Sequence, residues 1–227
     1  VRSDAAMPTK AVIFDCDGTL VDTETLYLKT FNQAVSNMRG NPGGEPVVCA
    51  ETWGREYVGK SNGCTLAVAR FELDCTATEF NDLWADLFSE AVAEPGSIPL
   101  LTGFDELYAH ARAKGLKVAV ASSSRRDMLT LKLANGVLAQ SRAVTKLADF
   151  DAILSNDDVA NRKPDPEIYL LAASRLSVCP AACLVVEDSS TGVVAGRRAC
   201  MQVVALPNQY TATHDFSAAD FVLEGMS

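Results

Sequence analysis

Five short runs along the chain consist almost entirely of apolar residues, many of them β-branched, and most runs end in a polar or acidic residue. Near-continuous apolar runs of this length are typical of strands that are buried on both faces, as strands are in a parallel sheet. The pattern therefore predicts five strands, at residues 11–15, 117–122, 151–155, 183–188 and 203–206.

Segments with the apolar spacing of an α-helix lie between or beside these strands, at residues 104–114, 127–133, 166–176 and 192–200. The first is followed by Gly115 and the third begins with a proline, which are ordinary helix-end and helix-start signals. Strands that alternate with helices predict an α/β fold built on a doubly wound parallel sheet. Ligands of such sheets bind beyond the carboxyl ends of the strands.

One interval lacks a strand pattern. Between residues 22 and about 95 the helical spacing recurs at residues 24–38, 64–73 and 78–93, and Pro95 and Gly96 follow the last of these segments. We interpret the interval as a small helical bundle that is inserted after the first strand. The predicted division is a catalytic core at residues 1–21 and 96–227 and a helical cap at residues 22–95.

Composition and charge narrow the classes of function. The chain has 227 residues, 48% of them hydrophobic, and a formal net charge of −9. The interval 22–94 carries twelve acidic and five basic residues. Binding to nucleic acid needs clustered positive charge, so we expect no nucleic-acid partner. No apolar run approaches the roughly 20 residues of a membrane span, so we expect no membrane partner either. We expect a monomer.

The cysteines and the first residues bear on the compartment. Seven cysteines form an odd set without a CxxC pair, which predicts reduced thiols, mostly in the core, and a reducing compartment. The chain begins with Val1 and shows no secretory signal pattern. We expect a cytoplasmic protein, or a plastid protein if the first residues remain from a cleaved targeting peptide; a tag remnant is the alternative.

Polar and acidic residues follow four of the predicted strands and are the candidates for chemistry. Asp15 and Asp17 follow the first strand, and Gly18 comes directly after them. The segment is either a polar turn or a cation site, and a cation would offset charge that is costly to leave unpaired beside a buried strand. The serines that follow the second strand are either a phosphate contact or a helix cap. Lys163, which lies between the third strand and the next helix, is either part of a charged site or a solvated loop lysine. The full set is Asp15, Asp17, Ser122, Ser123, Lys163, Glu187 and Asp188.

In this order, these four motifs resemble those of the haloacid dehalogenase superfamily, in particular its subgroup with a helical cap that includes β-phosphoglucomutase and sugar-phosphate phosphatases. The resemblance covers about residues 8 to 225. It implies a Rossmann-like core, a mobile cap, the cofactor Mg²⁺ and a reaction through an aspartyl phosphate. By this resemblance Asp15 is the nucleophile and a Mg²⁺ ligand, and Asp17 is the general acid and base whose backbone carbonyl also binds the metal.

The resemblance also assigns the remaining motif residues. Ser122 and Ser123 would contact the phosphoryl oxygens, and Lys163 would bind them while offsetting the charge around the nucleophile. Glu187 and Asp188 would complete the oxygen ligands of Mg²⁺. The acid at position 17 favours phosphate esters as substrates over carbon–halogen or carbon–phosphorus bonds.

The cap departs from the mutase pattern. Where mutases of this subgroup have Gly-x-Ser-Arg, this chain has Asn62 in place of the arginine, and Lys60 is the remaining candidate to bind a substrate phosphate there. We therefore expect a Mg²⁺-dependent phosphatase of a small phosphorylated metabolite, a sugar or polyol phosphate. A phosphosugar mutase resembling β-phosphoglucomutase is the first alternative, and a non-catalytic phosphoacceptor module is the second.

Two further features depart from the family pattern. Cys200 stands where the family usually has a glycine that ends a helix in a left-handed turn, and a side chain in that conformation costs about 1 kcal/mol or more. The connection at residues 135–148 is longer than usual, and the sequence suggests no function for it.

Overall fold

The computed structural model describes residues 7–58 and 62–226 and has a single six-stranded sheet among them. All neighbouring strands are parallel, in the order β3-β2-β1-β4-β5-β6. The strands are β1 (Ala11–Phe14), β2 (Lys117–Ala121), β3 (Ala152–Leu154), β4 (Cys183–Glu187), β5 (Gln202–Ala205) and β6 (Phe221–Val222). The predicted α/β parallel sheet is confirmed, and five of the strands lie within one residue of their predicted limits.

The central strand β1 shows why its apolar run is continuous. Its four residues are all buried, and their side chains alternate between the two faces of the sheet. Val12 and Phe14 pack in one hydrophobic cluster, whereas Ala11 and Ile13 pack in another. Because β1 pairs with β2 on one side and β4 on the other, the order in which successive strands are added reverses at β1, and its carboxyl end opens into the crevice where ligands of such sheets bind.

Helices cover both faces of the sheet. Helices α5 (Phe104–Ala113) and α6 (Arg126–Lys132) supply residues to the cluster that contains Phe14, and helices α7 (Glu167–Leu176) and α8 (Ser190–Arg198) supply the cluster that contains Ile13. A π-helix, Leu133–Leu138, continues α6 directly. Short 3₁₀ turns lie at Leu147–Asp149, Asn156–Asp158 and Pro180–Ala182.

Between β1 and α5, the described residues form four helices: α1 (Glu24–Met38), α2 (Ala50–Glu56), α3 (Gly63–Arg70) and α4 (Ala77–Ala91). The sequence pattern predicted three of them and missed α2. Phe31 lies at the centre of their aromatic packing, with ring centroids 4.8 to 6.4 Å from those of Trp53, Tyr57, Phe71, Phe80 and Trp84. The inserted helical unit is confirmed, and its limits at residues 22 and 95 stay a prediction.

The long connection at residues 135–148 holds the segment that leaves α4. The Asn135 side-chain amide donates to the carbonyls of Val92 and Ala93 at 2.7 and 2.9 Å. The Gln140 amide donates to the Ile98 carbonyl at 2.6 Å. Part of the segment, including Val137 and Val144, is buried in the core. The connection therefore holds in place residues 92–98, the segment that leads from the inserted helices back to the sheet.

All seven cysteines are free, but only Cys16 and Cys183 are buried, so the expectation that most of them lie in the core is wrong. Cys200 has a φ of 60°, which is the left-handed conformation expected at its position.

Among the described residues, no helix has both the length and the apolar character that a membrane crossing needs.

Candidate active site

Residues from all four predicted motifs meet at the carboxyl edge of the sheet. Asp15, Asp17, Lys163 and Asp188 line one cavity of about 310 Å³. The inserted helical unit contributes Glu24 and Val58 to its wall, and the remaining lining residues are Ser123, Ser189, Ser190, Thr191 and His214. The four motifs therefore form one site that is shared between the sheet and the inserted helices.

The turn after β1 brings two carboxylates into this cavity. Asp15 still follows the strand, because its backbone N–H donates to the Val186 carbonyl at 2.9 Å. Gly18 then turns the chain with a φ of +75°, and a β-carbon there would lie 2.1 Å from a carboxylate oxygen of Asp188. Only glycine permits both the left-handed backbone and this close approach.

Lys163 is the charged partner of Asp15. Its Nζ donates to Oδ1 of Asp15 at 2.7 Å, to Oε1 of Glu187 at 2.7 Å and to the Ala121 carbonyl at 2.9 Å. Burial raises the pKa of Asp15 from 3.8 to about 7, against the opposing effect of the Lys163 ammonium. The Asp15 carboxylate is therefore poorly solvated, and its ionised form depends on nearby positive charge.

Asp17 has the opposite electrostatic environment. Its Oδ1 accepts hydrogen bonds from Thr23 Oγ1 at 2.7 Å and from Lys132 Nζ, and its Oδ2 accepts from Ser124 Oγ at 2.9 Å. Burial acts to raise the pKa of Asp17, but the Lys132 ammonium and these hydrogen bonds outweigh burial and lower it. Two carboxylates two residues apart are thus held with their pKa values shifted in opposite directions, an arrangement that suits two different chemical roles.

Glu187 ends β4 and is fully buried. Its Oε1 accepts from Lys163 and from Tyr169 Oη, both at 2.7 Å, and its Oε2 accepts from Ser189 Oγ at 2.9 Å and from two backbone N–H groups. The start of α8 packs so closely that a β-carbon at Gly192 would lie 1.7 Å from Oε1. Glu187 therefore fixes Lys163 and the β4–α8 turn.

A divalent cation fits the acidic cluster that these residues form. Carboxylate oxygens of Asp15, Glu187 and Asp188 all lie within 4.8 Å of one another, and all three residues are buried. Asp188 accepts a hydrogen bond from the Asn208 amide at 2.8 Å, and burial together with the neighbouring carboxylates raises its pKa well above the usual value. An all-oxygen cluster in which burial disfavours ionisation is suited to a hard cation such as Mg²⁺.

The predicted phosphate-binding residues have different positions. Ser123 lines the cavity, whereas Ser122 is buried at the end of β2 and its hydroxyl lies 3.4 Å from Oδ2 of Asp17. Lys60 lies outside the described residues. Asn62, which replaces the arginine of the mutase pattern, is exposed immediately before α3.

Sequence reasoning missed two charged residues of this site. Lys132 is fully buried and pairs with Asp17, and its only sequence signal is a position on the apolar face of α6 beside Leu129 and Leu133. Glu24 begins α1 and accepts a hydrogen bond from Trp53 Nε1 at 2.8 Å. Burial raises the pKa of Glu24 to about 7.

Comparison with known proteins is consistent with this geometry. A family model described as haloacid dehalogenase-like hydrolase matches residues 9–199. Protein CbbY of Rhodobacter capsulatus is 31% identical over 225 residues, which cover 97% of this chain and 95% of CbbY. The bifunctional riboflavin kinase/FMN phosphatase of Arabidopsis thaliana is 33% identical over 224 residues, covering 96% of this chain and 54% of that protein.

Among solved structures, the chain is similar to a mutant of CbbY from Rhodobacter sphaeroides in complex with xylulose 1,5-bisphosphate. The TM-score is 0.73 and the sequence identity is 27%, over 96% of this chain and 95% of that one. The similarity extends over the sheet and the inserted helices alike.

Proposed function

Since the chain belongs to the haloacid dehalogenase-like hydrolase family and is one of its phosphatases, we propose that it hydrolyses a small phosphorylated sugar or polyol through an aspartyl phosphate on Asp15, with Mg²⁺ as cofactor. The observation that carries the proposal is the convergence of Asp15, Asp17, Lys163 and Asp188 on one cavity at the carboxyl edge of the sheet.

Asp15 is the nucleophile in this proposal. One of its carboxylate oxygens attacks phosphorus, the bond between phosphorus and the alcohol oxygen breaks, and the phosphoryl group stays on Asp15. Lys163 lies against the same carboxylate, so its ammonium also reaches the phosphoryl oxygens and neutralises part of their charge. Ser123 in the cavity wall and the buried Ser122 are the hydroxyl contacts proposed for this group.

Asp17 moves the protons. In its acid form it gives a proton to the oxygen of a departing alcohol. As a carboxylate it then takes a proton from the water that attacks the aspartyl phosphate, which releases inorganic phosphate and restores Asp15. The lowered pKa of Asp17 favours the carboxylate form that the second step needs.

Asp15, Glu187 and Asp188, with the backbone carbonyl of Asp17, are the residues that would hold Mg²⁺, Glu187 either directly or through water. When bound, the cation offsets the negative charge that the phosphoryl group brings to these carboxylates. The raised pKa values of Asp15 and Asp188 support this assignment, because both carboxylates lack sufficient positive charge from the chain itself.

A sugar or polyol phosphate suits the cavity. A volume of about 310 Å³ matches a small metabolite, and the half-buried Glu24 carboxylate in its wall offers an acceptor for hydroxyl groups. Xylulose 1,5-bisphosphate, bound to the CbbY mutant, is a sugar phosphate, and FMN, named for the Arabidopsis relative, carries its phosphate on a polyol chain. Both relatives therefore support this substrate class.

The free cysteines support a reducing compartment, either the cytoplasm or a plastid, and we propose that the protein acts there as a monomer. Size-exclusion chromatography with light scattering tests the monomer, and a dimer mass would contradict it.

A panel of phosphate esters tests the proposed activity. Purified protein with Mg²⁺ is assayed for phosphate release from sugar phosphates, polyol phosphates, phosphoglycolate and FMN, and a chelator is the control. We expect release from one or more sugar or polyol phosphates and none with the chelator. Incubation with β-glucose 1-phosphate and a trace of glucose 1,6-bisphosphate separates the mutase alternative, because a mutase forms glucose 6-phosphate without releasing phosphate.

A further inference from the structure

Lys132 is a buried lysine that none of the four motifs contains. It ends α6, its side chain has no exposed surface, and the π-helix begins at the next residue. Burial of an ammonium group is costly unless it is paired and hydrogen-bonded. The position of Lys132 therefore depends on what its three N–H donors contact.

All three donors have acceptors around the catalytic turn. Lys132 Nζ donates to Oδ1 of Asp17, to Ser124 Oγ at 2.9 Å and to Tyr27 Oη at 3.2 Å. The rings of Tyr27 and Phe88 stack at 3.9 Å, and the ammonium lies 5.2 and 5.6 Å from their centroids. Among the described residues, Asp17 is the one carboxylate in an ion pair with Lys132.

The same contacts determine the position of Asp17. Ser124 donates to Oδ2 of Asp17 and accepts from Lys132. The ammonium therefore contacts one oxygen of the carboxylate and the serine hydroxyl contacts the other. The Asp17 side chain retains 22% exposure to the cavity. Without the ammonium, Thr23 Oγ1 and Ser124 Oγ still donate to the carboxylate, but the ion pair that holds its Oδ1 is lost and Ser124 Oγ loses the ammonium that donates to it.

We propose that Lys132 is a positioning residue that holds the Asp17 carboxylate where it takes a proton from the water that attacks the aspartyl phosphate. The proposal deepens the proposed function and rests on it. Lys132 itself gives up no proton and touches no reacting atom. Besides lowering the pKa of Asp17, Lys132 holds the carboxylate in place, and a displacement of about 1 Å at a reacting group can cost on the order of 10²-fold in rate.

The two halves of the reaction depend on this contact differently. With p-nitrophenyl phosphate, attack by Asp15 expels p-nitrophenolate, a weak base that leaves without a proton. In the second half, a water oxygen bonds to phosphorus, its proton passes to the Asp17 carboxylate, and the bond from phosphorus to Asp15 breaks. Loss of Lys132 should therefore slow the second half and spare the first.

Kinetics of the variant Lys132→Met with p-nitrophenyl phosphate and Mg²⁺ tests the proposal. Methionine replaces the ammonium by an apolar group of similar length. Because this leaves Asp17 without its counter-charge, folding of the variant is checked by circular dichroism before the kinetics are compared. We expect kcat to fall about 10- to 100-fold. KM should fall with it, so that kcat/KM is nearly unchanged, and a burst of p-nitrophenolate equal to the enzyme concentration should precede the steady state.

Two other variants keep the test decisive. Lys114→Met removes an exposed lysine after α5 and should show wild-type kinetics without a new burst. Tyr27→Phe keeps the stacked ring but removes one acceptor of the ammonium, and it should show the same split between kcat and kcat/KM to a smaller degree, about threefold. If Lys132→Met does not fold, the result for Tyr27→Phe decides.

The proposal is overturned if kcat of Lys132→Met stays within about twofold of wild type, or if kcat and kcat/KM fall together with no burst. Equal losses would indicate a general structural role. Unchanged kinetics of Tyr27→Phe, if Lys132→Met is unfolded, would also overturn it. Failure of the proposed function is distinguishable from failure of the Lys132 proposal. In that case the wild-type protein itself would form no phosphoenzyme during turnover, before any Lys132 variant is compared.

Discussion

Lys163 Nζ and Oε1 of Glu187 lie 2.7 Å apart, and both side chains are almost completely shielded from solvent. The same ammonium reaches Asp15, so Glu187 connects the end of β4 to the nucleophile at the end of β1. A buried pair of this kind is a weak source of stability in itself, but loss of one partner leaves the other charge without compensation.

We expect Glu187→Gln to lower the free energy of unfolding by about 3 kcal/mol, because Lys163 loses one of its two buried counter-charges. Urea denaturation measures the change. Glu90→Gln, at an exposed position of α4, is the matched control and should shift stability by less than about 0.5 kcal/mol. An equally small shift for Glu187→Gln would contradict the role of Glu187 in holding Lys163.

The raised pKa of Asp15 predicts how stability depends on pH without metal. The pKa of Asp15 is about 7 in the folded protein and its usual value is 3.8, so between these values the folded state binds a proton that the unfolded chain has lost. This proton stabilises the fold at the acidic end, and the stabilisation disappears as the pH rises through 7.

With a chelator present, the Tm at about pH 7.5 should therefore be lower than at about pH 5.5, and Mg²⁺ should raise the Tm more at the higher pH. Differential scanning calorimetry in the four conditions measures both effects. An equal increase at the two pH values would show that Mg²⁺ does not bind at the Asp15 and Asp188 carboxylates.

Asn135 should matter for the attachment of the inserted helices. Asn135→Leu removes the donors to the carbonyls of Val92 and Ala93, and the buried Val92 carbonyl is left without its side-chain partner. We expect a loss of about 2 kcal/mol in stability and faster amide hydrogen exchange at residues 92–98. Gln33→Leu, on an exposed position of α1, is the control. Unchanged exchange at residues 92–98 would contradict this role.

The sequence was sufficient for five of the six strands and for most of the site, because both depend on local pattern. Asp15, Lys163 and Asp188 follow apolar runs, and parallel strands bring such ends together. Lys132 was missed because a lysine in a helix usually faces solvent, and only the fold brings Asp17 beside it. Helix α2 was missed because its few buried residues include Gly54, and β6 because it is a two-residue strand with exposed side chains.

The left-handed turn at Cys200 offers a stability test that leaves the site intact. A residue with a β-carbon at a φ of 60° destabilises the fold by roughly 1–2 kcal/mol. Glycine avoids this strain, but its more flexible unfolded chain loses more entropy on folding, which offsets about 0.5–1 kcal/mol of the gain. Cys200→Gly should therefore raise the free energy of unfolding by about 0.5–1 kcal/mol in urea titrations. Cys200→Ser keeps the β-carbon and should show no gain, and equal stability of the two variants would contradict the strain.

Trapping the phosphorylated enzyme tests the role of Asp15 as nucleophile most directly. Wild-type protein that is turning over p-nitrophenyl phosphate with Mg²⁺ is quenched in acid, digested and mapped by mass spectrometry. We expect a phosphoryl group on the peptide that contains Asp15, and a folded Asp15→Asn variant that carries no phosphoryl group and releases no phosphate. Phosphate release by Asp15→Asn at the wild-type rate, or a phosphoryl group on a different residue, would contradict it.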